Sequence, residues 1–311
     1  MKILAVDDDP IILELLPMVA ARAGFKDVTT TTSGEHALQM LRSNDKTFDC
    51  LLFDVSMPGM DGIELCTLAR TVEGYAKTPI IMVTAMAEKS VVDRAFAAGA
   101  TDYVNKPFNV VELGARLSLA EMLIATRRVA EGVTRPDQTS PQNNTQSEIF
   151  PLDKEVQIDG VKAVIEYSAL RNYLSQLSVT GIGSSQVLAF KIDQVEKIHS
   201  LASADKFILA LTEVALTTYQ VMQAFCPMMA YIGNGTFLMV ADKPNLERSS
   251  KIEVEIQSIL DSKNLQYDNG DPIKISVLAS NPIRPNTSKS QRVRKTFDRA
   301  ISKVESRASR K

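Results

Sequence analysis

The sequence has few residues of the kinds that form disulfides or transition-metal sites. It contains three cysteines, Cys50, Cys66 and Cys226, and two histidines, His36 and His199. An odd number of cysteines without C-x-x-C spacing, each in apolar surroundings, argues against a disulfide framework and predicts buried, reduced thiols. The histidines are far apart in sequence and have no metal-ligand spacing around them, so both are expected to be surface or packing residues.

A strong charge imbalance and a long uninterrupted apolar run are also missing. The formal net charge of -2 provides no global attraction to nucleic acid or anionic lipid. The N-terminus MKILAVDDDP has three aspartates where a signal peptide would have its apolar core. The most apolar long stretch, 207–232, is interrupted by polar residues and Pro227, which makes it a poor membrane span. We therefore expect a soluble cytoplasmic protein without membrane association.

The first part of the chain alternates between strand-like and helical patterns. Strand patterns occupy 2–6, 27–31, 50–53, 80–83 and 102–104, and helical patterns lie near 10–22, 34–43, 62–71, 87–98 and 109–131. This alternation predicts an α/β domain with a doubly wound, five-stranded parallel sheet of the flavodoxin-like type. The last helix carries Leu113, Leu117, Ala120 and Ile124 at helical spacing. We expect that stripe to pack on its own sheet rather than form a dimer seam.

A change in composition separates the two halves of the chain. Residues 132–148 are rich in Gln, Asn, Thr, Ser and Pro and have almost no apolar side chains. Such a segment cannot bury enough surface to order itself, so it predicts a flexible linker. We accordingly divide the chain into a first domain at 1–128, a linker at 129–158 and a second domain at 159–311.

The second half has a different order of elements. Its predicted elements are a helix near 162–177, a strand at 186–192, a helix at 204–226, hairpin strands at 228–232 and 236–241, a helix at 246–262, a strand at 273–279 and a basic helix at 290–307. Strand, helix, hairpin, helix and strand form the split βαβ pattern of ferredoxin-like α+β folds.

Acidic residues of the first domain fall where its predicted strands end. Asp7 and Asp8 follow the first strand, and Asp54 follows the third. Ligand sites in open α/β sheets form outside these carboxyl ends. Carboxylates this close repel one another unless a cation joins them, and Mg²⁺ prefers such oxygen ligands. Thr84 and Lys106 follow the fourth and fifth strands and suit a transferring phosphoryl group, for which one carboxylate would be the nucleophile.

The stretches VDDDP, FDVSMPGMDG, MVTA and DYVNKPF together resemble the motifs of response-regulator receiver domains, over residues 1 to about 125. The resemblance implies that Asp54 is the phosphoacceptor, phosphorylated by a histidine kinase or phosphotransfer protein. It implies that Asp8 binds Mg²⁺ directly, that Asp7 binds it through water, and that the Ser56 carbonyl completes the protein ligands.

The same resemblance assigns a switch. Thr84 and Lys106 would contact the phosphoryl oxygens, and Tyr103 would be the aromatic residue that moves inward on activation. The Lys106–Pro107 peptide bond is expected to be cis, which only X-Pro bonds adopt at low cost. About two negative charges arriving on Asp54 would reorient these residues.

Residues 160 to 311 resemble a GGDEF (diguanylate cyclase) domain more faintly. The matching stretches are FKID at 190–193, GNGTF at 233–237 and TFDRAISKVESR at 296–307. The resemblance implies a palm-like, nucleotide-cyclase-like fold. Cyclases of this family need carboxylates that hold two Mg²⁺ ions. The positions of that degenerate site are Lys191, Asp193, Gly233, Asn234, Gly235 and Thr236.

Several of these positions lack the residue that the chemistry needs. Lys191 replaces the first metal-binding aspartate, Gly235 replaces the acidic hairpin residue, and Thr236 replaces the glutamate after it. Glu305 and His199 also depart from the family pattern, and the inhibitory R-x-x-D motif is absent. We therefore expect a response regulator whose output domain is not an enzyme and acts by binding a protein partner.

Alternatives remain at this stage. A lysine ammonium can neutralise phosphate, so Lys191 beside the glycine turn would suit a sensor of GTP or cyclic di-GMP. An active cyclase or a DNA-binding regulator has less support. The basic tail from Arg284 carries an apolar stripe, which favours an amphipathic closing helix over a nucleic-acid site; its members are Val293, Phe297, Ile301 and Val304. Formation of a homodimer is left open.

Overall fold

The chain forms two compact units, Met1–Gln142 and Asn143–Lys311, in a computed structural model. The structure describes residues 1–43, 46–85, 88–130, 151–154, 156, 158, 160–161, 163–177, 184–242, 246, 249–285 and 292–309. The predicted linker core at 132–148 therefore lies outside the described residues.

The first unit is a five-stranded parallel sheet flanked by helices. Its elements are β1 (Lys2–Val6), α1 (Pro10–Arg22), β2 (Asp27–Thr31), α2 (Gly34–Arg42), β3 (Cys50–Asp54), α3 (Gly62–Arg70), β4 (Ile80–Thr84), α4 (Lys89–Ala97), β5 (Asp102–Asn105) and α5 (Val110–Ala130). The strand order is β2-β1-β3-β4-β5, with every pair parallel. The predicted flavodoxin-like sheet is confirmed.

Burial on both faces explains why the strands of this sheet are apolar. β3 and β4 are buried along their whole length, as expected for parallel strands covered by helices on each side. On α5, Leu113, Leu117 and Ala120 pack in one core cluster with β1, β3 and α1. The predicted packing on the sheet is confirmed for these three residues of the stripe, whereas the fourth, Ile124, is not part of the cluster.

The second unit is built on a four-stranded antiparallel sheet. Its elements are α6 (Tyr167–Gln176), β6 (Ser185–Ile192), α7 (Val195–Leu201), α8 (Ala204–Met222), a 3₁₀ turn (Gln223–Phe225), β7 (Met228–Tyr231), β8 (Thr236–Asp242), α9 (Ser249–Asp261), β9 (Val277–Ala279) and α10 (Arg292–Ala308). The strand order is β7-β8-β6-β9. One core cluster joins this sheet to α8 and α9.

The last helix closes the second unit as predicted. α10 packs on β6 and buries Phe297, Ala300 and Val304. Its basic side chains Arg294, Lys295, Arg299 and Lys303 are exposed. This arrangement confirms an amphipathic helix with a basic outer face.

Several predicted boundaries in the second unit were wrong. The helix expected at 162–177 begins only at Tyr167, because 163–165 pair with β7 instead: the Met229 amide donates to the Ala163 carbonyl and the Ile165 amide to the Met229 carbonyl. The helix expected at 204–226 ends at Met222, ahead of Pro227. The strand expected at 273–279 is reduced to β9, and α7 was not predicted.

The predicted linker extends too far into the second unit. Leu152 and Val156 pack against the core of this unit, and Ile158 is buried in it. The second unit therefore includes residues that composition alone placed in the linker.

The thiols follow the prediction at two of three positions. Cys50 and Cys66 are buried, and burial raises their pKa to about 12 and about 11. Cys226 is exposed, so the expectation that it is buried was wrong. It occupies a left-handed position (φ 43°) between the 3₁₀ turn and Pro227, which turns it out of the core. None of the described helices is long and apolar enough to cross a membrane.

The two histidines have the packing roles expected of isolated residues. His36 Nδ1 lies 2.8 Å from the Thr31 hydroxyl. The His199 ring packs edge-on against Phe207, with centroids 4.9 Å apart.

Candidate phosphoacceptor site

The carboxyl end of the parallel sheet gathers the acidic residues predicted from the sequence. Asp7 directly follows β1 and Asp54 ends β3; their exposed fractions are 0% and 3%. Asp8 is exposed beside them. One carboxylate oxygen from each of these three residues lies within 4.8 Å of the others. The sheet topology therefore concentrates three negative charges at one point.

Lys106 balances part of this charge. Its Nζ lies 2.7 Å from Asp7 Oδ2 and 2.8 Å from Asp54 Oδ1. The Lys106–Pro107 bond is cis, as predicted. The lysine follows β5 and reaches across the end of β4 to both carboxylates.

The two partners of this ion pair have shifted pKa values. Burial raises the pKa of Asp54, although the bond and charge of Lys106 act in the opposite direction. Burial by itself lowers the pKa of Lys106, but its bonds to Asp54 and Asp7 outweigh burial and the pKa is raised. Burial thus favours a neutral Asp54, while Lys106 favours the carboxylate that a nucleophile requires.

Hydrogen bonds and close backbone packing hold the loop after β3 next to Asp54. The Ser56 amide donates to Asp54 Oδ2 at 3.0 Å. A Cβ at Gly62 would lie 1.9 Å from the Asp54 carbonyl oxygen, so no side chain fits there. On the far side of the loop, Glu35 Oε1 accepts from the Met60 amide at 3.0 Å. Backbone bonds to Glu35, including that from Met60, lower the pKa of this carboxyl.

Glu35 and Gly62 were not among the site residues predicted from the sequence. Gly62 stands inside the quoted motif FDVSMPGMDG, so the motif offered a signal for it. Glu35 had no such signal, because it meets the loop across 25 positions of sequence.

The predicted switch residues lie on the neighbouring strands. Thr84 ends β4 with an exposed fraction of 2%, and Tyr103 of β5 is buried at 7%. The Tyr103 ring meets Phe96 of α4 edge-on, with centroids 6.3 Å apart. Thr84 and Lys106 thus lie at the ends of neighbouring strands, while Tyr103 lies within β5, in register with Met82 of β4.

The donor set of the cluster fits a magnesium ion. Closely spaced carboxylate oxygens are hard ligands of the kind that Mg²⁺ selects. Among the described residues, the group formed by Asp7, Asp8 and Asp54 is the one set of three acidic, histidine or cysteine residues that could hold a metal ion. The second unit contributes no such group from its described residues.

The hairpin tip of the second unit, residues 233–236, has no acidic side chains, in contrast to the cluster of the first unit. Gly233, Asn234 and Gly235 adopt positive φ values of 90°, 50° and 66°. The Asn234 amide donates to the Leu152 carbonyl at 2.7 Å, and the Thr236 amide to the Gly233 carbonyl at 2.9 Å. The Gly235 amide donates to the Tyr231 hydroxyl at 3.0 Å. These three amides are therefore engaged within the protein rather than directed at a ligand.

Lys191 and Asp193 lie beside this tip. Lys191 Nζ donates to the Asn234 carbonyl at 2.6 Å, which ties the end of β6 to the turn. The Asp193 amide donates to the Ser276 carbonyl. A Cβ at Gly235 would meet Val195 at 2.7 Å, and one at Gly233 would meet the Asp153 carbonyl at 2.5 Å. The turn is packed closely on both sides.

The family comparison agrees with the geometry of the first unit. Residues 3–118 match the family described as the response regulator receiver domain. The first unit is a response regulator receiver domain, and the chain carries the receiver of a two-component system.

Two curated relatives each match little more than a third of this chain. The transcriptional regulatory protein YvrH of Bacillus subtilis is 37% identical over 116 residues, which are 37% of this chain and 47% of that protein. The two-component response regulator ARR10 of Arabidopsis thaliana is 39% identical over 113 residues, which are 36% of this chain and 20% of that protein. The match spans less than half the length of either relative.

Among solved structures, the chemotaxis response regulator CheY4 of Vibrio cholerae is 34% identical, with a TM-score of 0.36. The match covers 38% of this chain and 97% of CheY4.

Proposed function

We propose that this chain is a phosphorylation-dependent response regulator in which Asp54 accepts a phosphoryl group from a histidine kinase or phosphotransfer protein. The observation that carries the proposal is the cluster of buried Asp7 and Asp54 with exposed Asp8, in which Lys106 pairs with both buried carboxylates. Asp54 is buried and the Lys106 side chain is only partly exposed, so a change of charge at Asp54 acts strongly on the cluster.

In the proposed reaction a carboxylate oxygen of Asp54 attacks the phosphorus of a phosphohistidine. The new oxygen–phosphorus bond forms an acyl phosphate as the nitrogen–phosphorus bond breaks, and the released imidazole nitrogen takes up a proton. Lys106 stays within reach of the added charge, and the Thr84 hydroxyl lies at the neighbouring strand end. The Lys106 ammonium could neutralise charge on the phosphoryl oxygens, and the Thr84 hydroxyl could donate a hydrogen bond to one of them.

Magnesium fits this site as the cofactor. Asp8 and Asp54 would bind it directly, Asp7 through water, and Ser56 through its carbonyl. Bound there, the ion would neutralise phosphoryl oxygens and reduce repulsion among the carboxylates.

The cofactor assignment is tested by phosphorylation from acetyl phosphate. We expect label on the protein with Mg²⁺ and none with excess chelator. Asp8→Asn should require a higher Mg²⁺ concentration, by about tenfold or more. Asp9→Asn is the matched control: Asp9 caps α1 by accepting from the Ile11 amide, a role that asparagine also fills. Equal Mg²⁺ dependence of the two variants would contradict the assignment.

For the second unit, we propose a catalytically inactive GGDEF-like module that acts by binding a protein partner. The order β7-β8-β6-β9, all antiparallel, agrees with a ferredoxin-like arrangement. Lys191 and Gly235 stand where a cyclase needs carboxylates, and the hydrogen bonds of the tip support a structural turn. The same bonds leave the nucleotide-sensor alternative with less support.

A nucleotide assay tests the output proposal on the full-length chain. We expect no cyclic di-GMP from GTP with Mg²⁺ or Mn²⁺, and no saturable heat from GTP or cyclic di-GMP in calorimetry. Turnover would establish a cyclase instead. Saturable binding that Lys191→Ala weakens would establish a sensor. A cytoplasmic location is part of the proposal, since buried, reduced Cys50 and Cys66 suit a reducing compartment.

A further inference from the structure

Asn105 places a side-chain oxygen in the protein interior without a donor. It ends β5 and is half-buried. Its Oδ1 is shielded from solvent and, within the part of the chain that the structure describes, has no hydrogen-bond partner. Most buried polar atoms in native proteins are paired, so an unpaired one requires a reason.

The position of Asn105 links it to the switch. Asn105 pairs in register with Thr84, and Tyr103 precedes it by two positions. Residues paired across parallel strands, and residues two apart along one strand, face the same side of the sheet. Thr84, Tyr103 and Asn105 therefore share one side of the sheet, the side on which Tyr103 meets Phe96 of α4.

Asn105 is also coupled to the ion pair through the backbone. The amide of the next residue, Lys106, donates to the Thr84 carbonyl at 2.7 Å. The Lys106 ammonium meets Asp54. A shift of Thr84 toward a phosphoryl group on Asp54 therefore moves the strand end against which Asn105 lies.

We propose that Asn105 is a positioning residue of the switch, a proposal that rests on the proposed phosphorylation of Asp54. Its buried oxygen lacks a donor in the unphosphorylated protein and gains one in the activated conformation, in which Thr84 shifts toward the phosphoryl group. An unpaired buried acceptor raises the free energy of the unphosphorylated conformation. In the activated conformation the same acceptor has a hydrogen bond, so this penalty is absent. The residue thus biases the equilibrium toward the activated conformation.

Asn105→Leu tests the inference, because leucine has nearly the same volume and no polar atom. The variant removes the unpaired acceptor and so lowers the free energy of the unphosphorylated conformation. In the activated conformation it leaves the donor without a partner and so raises the free energy. The readout is the beryllofluoride concentration at half response in the presence of Mg²⁺, followed by the NMR signals of Thr84 and Tyr103. We expect this midpoint to rise about 5- to 100-fold, while the melting temperature of the unmodified protein is not lowered.

Asn105→Thr separates this role from a merely structural one, because its hydroxyl retains an acceptor. We expect the beryllofluoride midpoint of Asn105→Thr to lie within a few-fold of the wild-type midpoint. A midpoint within twofold of wild type for Asn105→Leu would overturn the inference, as would equal shifts for the two variants. A wild-type protein without any beryllofluoride response would instead overturn the proposed phosphorylation of Asp54.

Discussion

Asp54 illustrates, at the scale of a single residue, the conflict between stability and function. Burial raises its pKa, so the folded protein binds a proton at this site more tightly than the unfolded chain does. The Asp54 carboxylate therefore destabilises the fold above the unfolded pKa, and this penalty disappears as the pH falls below it.

We accordingly predict that Asp54→Asn raises the melting temperature at neutral pH without Mg²⁺. A gain of 1 kcal/mol corresponds to about 4 °C in a domain of this size. Lys106 retains Asp7 as a partner in this variant. Thermal denaturation should show the gain at pH 7 and none near pH 3. A lower melting temperature at pH 7 would contradict the stated effect of burial.

Gly62 lies so close to the backbone of Asp54 that a substitution there should affect phosphorylation. A methyl group there would collide with the Asp54 carbonyl, so Gly62→Ala should displace the phosphoacceptor strand end. We expect phosphorylation by acetyl phosphate to slow at least tenfold. Gly74→Ala is the control: its positive φ of 84° costs stability, but its Cβ meets nothing within 4 Å. Equal phosphorylation rates in the two variants would contradict the proposed role of Gly62.

Residue-level prediction from sequence was strongest where topology decides position. Strands that alternate with helices form a parallel sheet, and the carboxyl ends of parallel strands meet at one edge of the sheet. The convergence of residues at those ends was therefore predictable from the sequence: Asp7, Asp54, Thr84 and Lys106. The bond between Glu35 and the Met60 amide was not, because a single side chain meeting a distant loop leaves no periodic pattern. The unpaired oxygen of Asn105 depends on packing around one atom and was equally invisible.

At the scale of elements, α1 presents an unusual exposed stripe. Ile11, Leu15 and Met18 are 71%, 41% and 58% exposed, at helical spacing. The helix begins directly after the acidic cluster, so a protein that delivers a phosphoryl group to Asp54 would lie beside this stripe.

We predict that Ile11→Lys combined with Met18→Lys slows phosphotransfer from the cognate kinase about fivefold or more, the effect of losing one strong contact. The rate from acetyl phosphate, which needs no docking surface, should be retained. Met122→Lys on α5, exposed at 65%, is the matched control and should leave both rates unaltered. Equal slowing with both donors would show damage to the site rather than lost docking.

Side chains cover the outer edge of β9, the last strand in the order of the second sheet. Glu253 of α9 accepts from the Ala279 amide at 2.6 Å. Arg307 of α10 pairs with Glu253 and donates to the Ala279 carbonyl. These contacts cover backbone groups of β9 that would otherwise be open to pairing.

Glu253→Ala should therefore lower the free energy of unfolding of the second unit by about 1–3 kcal/mol and increase self-association. Most of the loss comes from the uncovered Ala279 amide, since the 38% exposure of the Arg307 side chain weakens the ion pair. Glu255→Ala, at an exposed position of the same helix, is the control for denaturant melts and light scattering. Equal stability of the two variants would contradict this role.

Element boundaries in the second unit were harder to predict for a physical reason. Residues 163–165 have an apolar pattern compatible with a helix. They pair instead with β7, where they form hydrogen bonds with the backbone groups of Met229. Likewise, Leu152, Val156 and Ile158 are spaced among polar residues, so composition placed them in the linker. Both errors come from tertiary contacts that override local pattern.

At the scale of the whole molecule, the chain joins a receiver unit with an intact acidic cluster to a second unit whose hairpin tip carries no carboxylate. In the proposed function, the first unit changes its charge at Asp54 and the second unit acts by binding a partner. A response regulator that signals through binding is the function this combination supports.

The most direct test of this account is the intact mass of the full-length protein after incubation with acetyl phosphate and Mg²⁺. The account predicts a single added phosphoryl group on the wild type, and none on Asp54→Asn under the same conditions. An unmodified wild type, or an Asp54→Asn variant that gains the same mass, would contradict it.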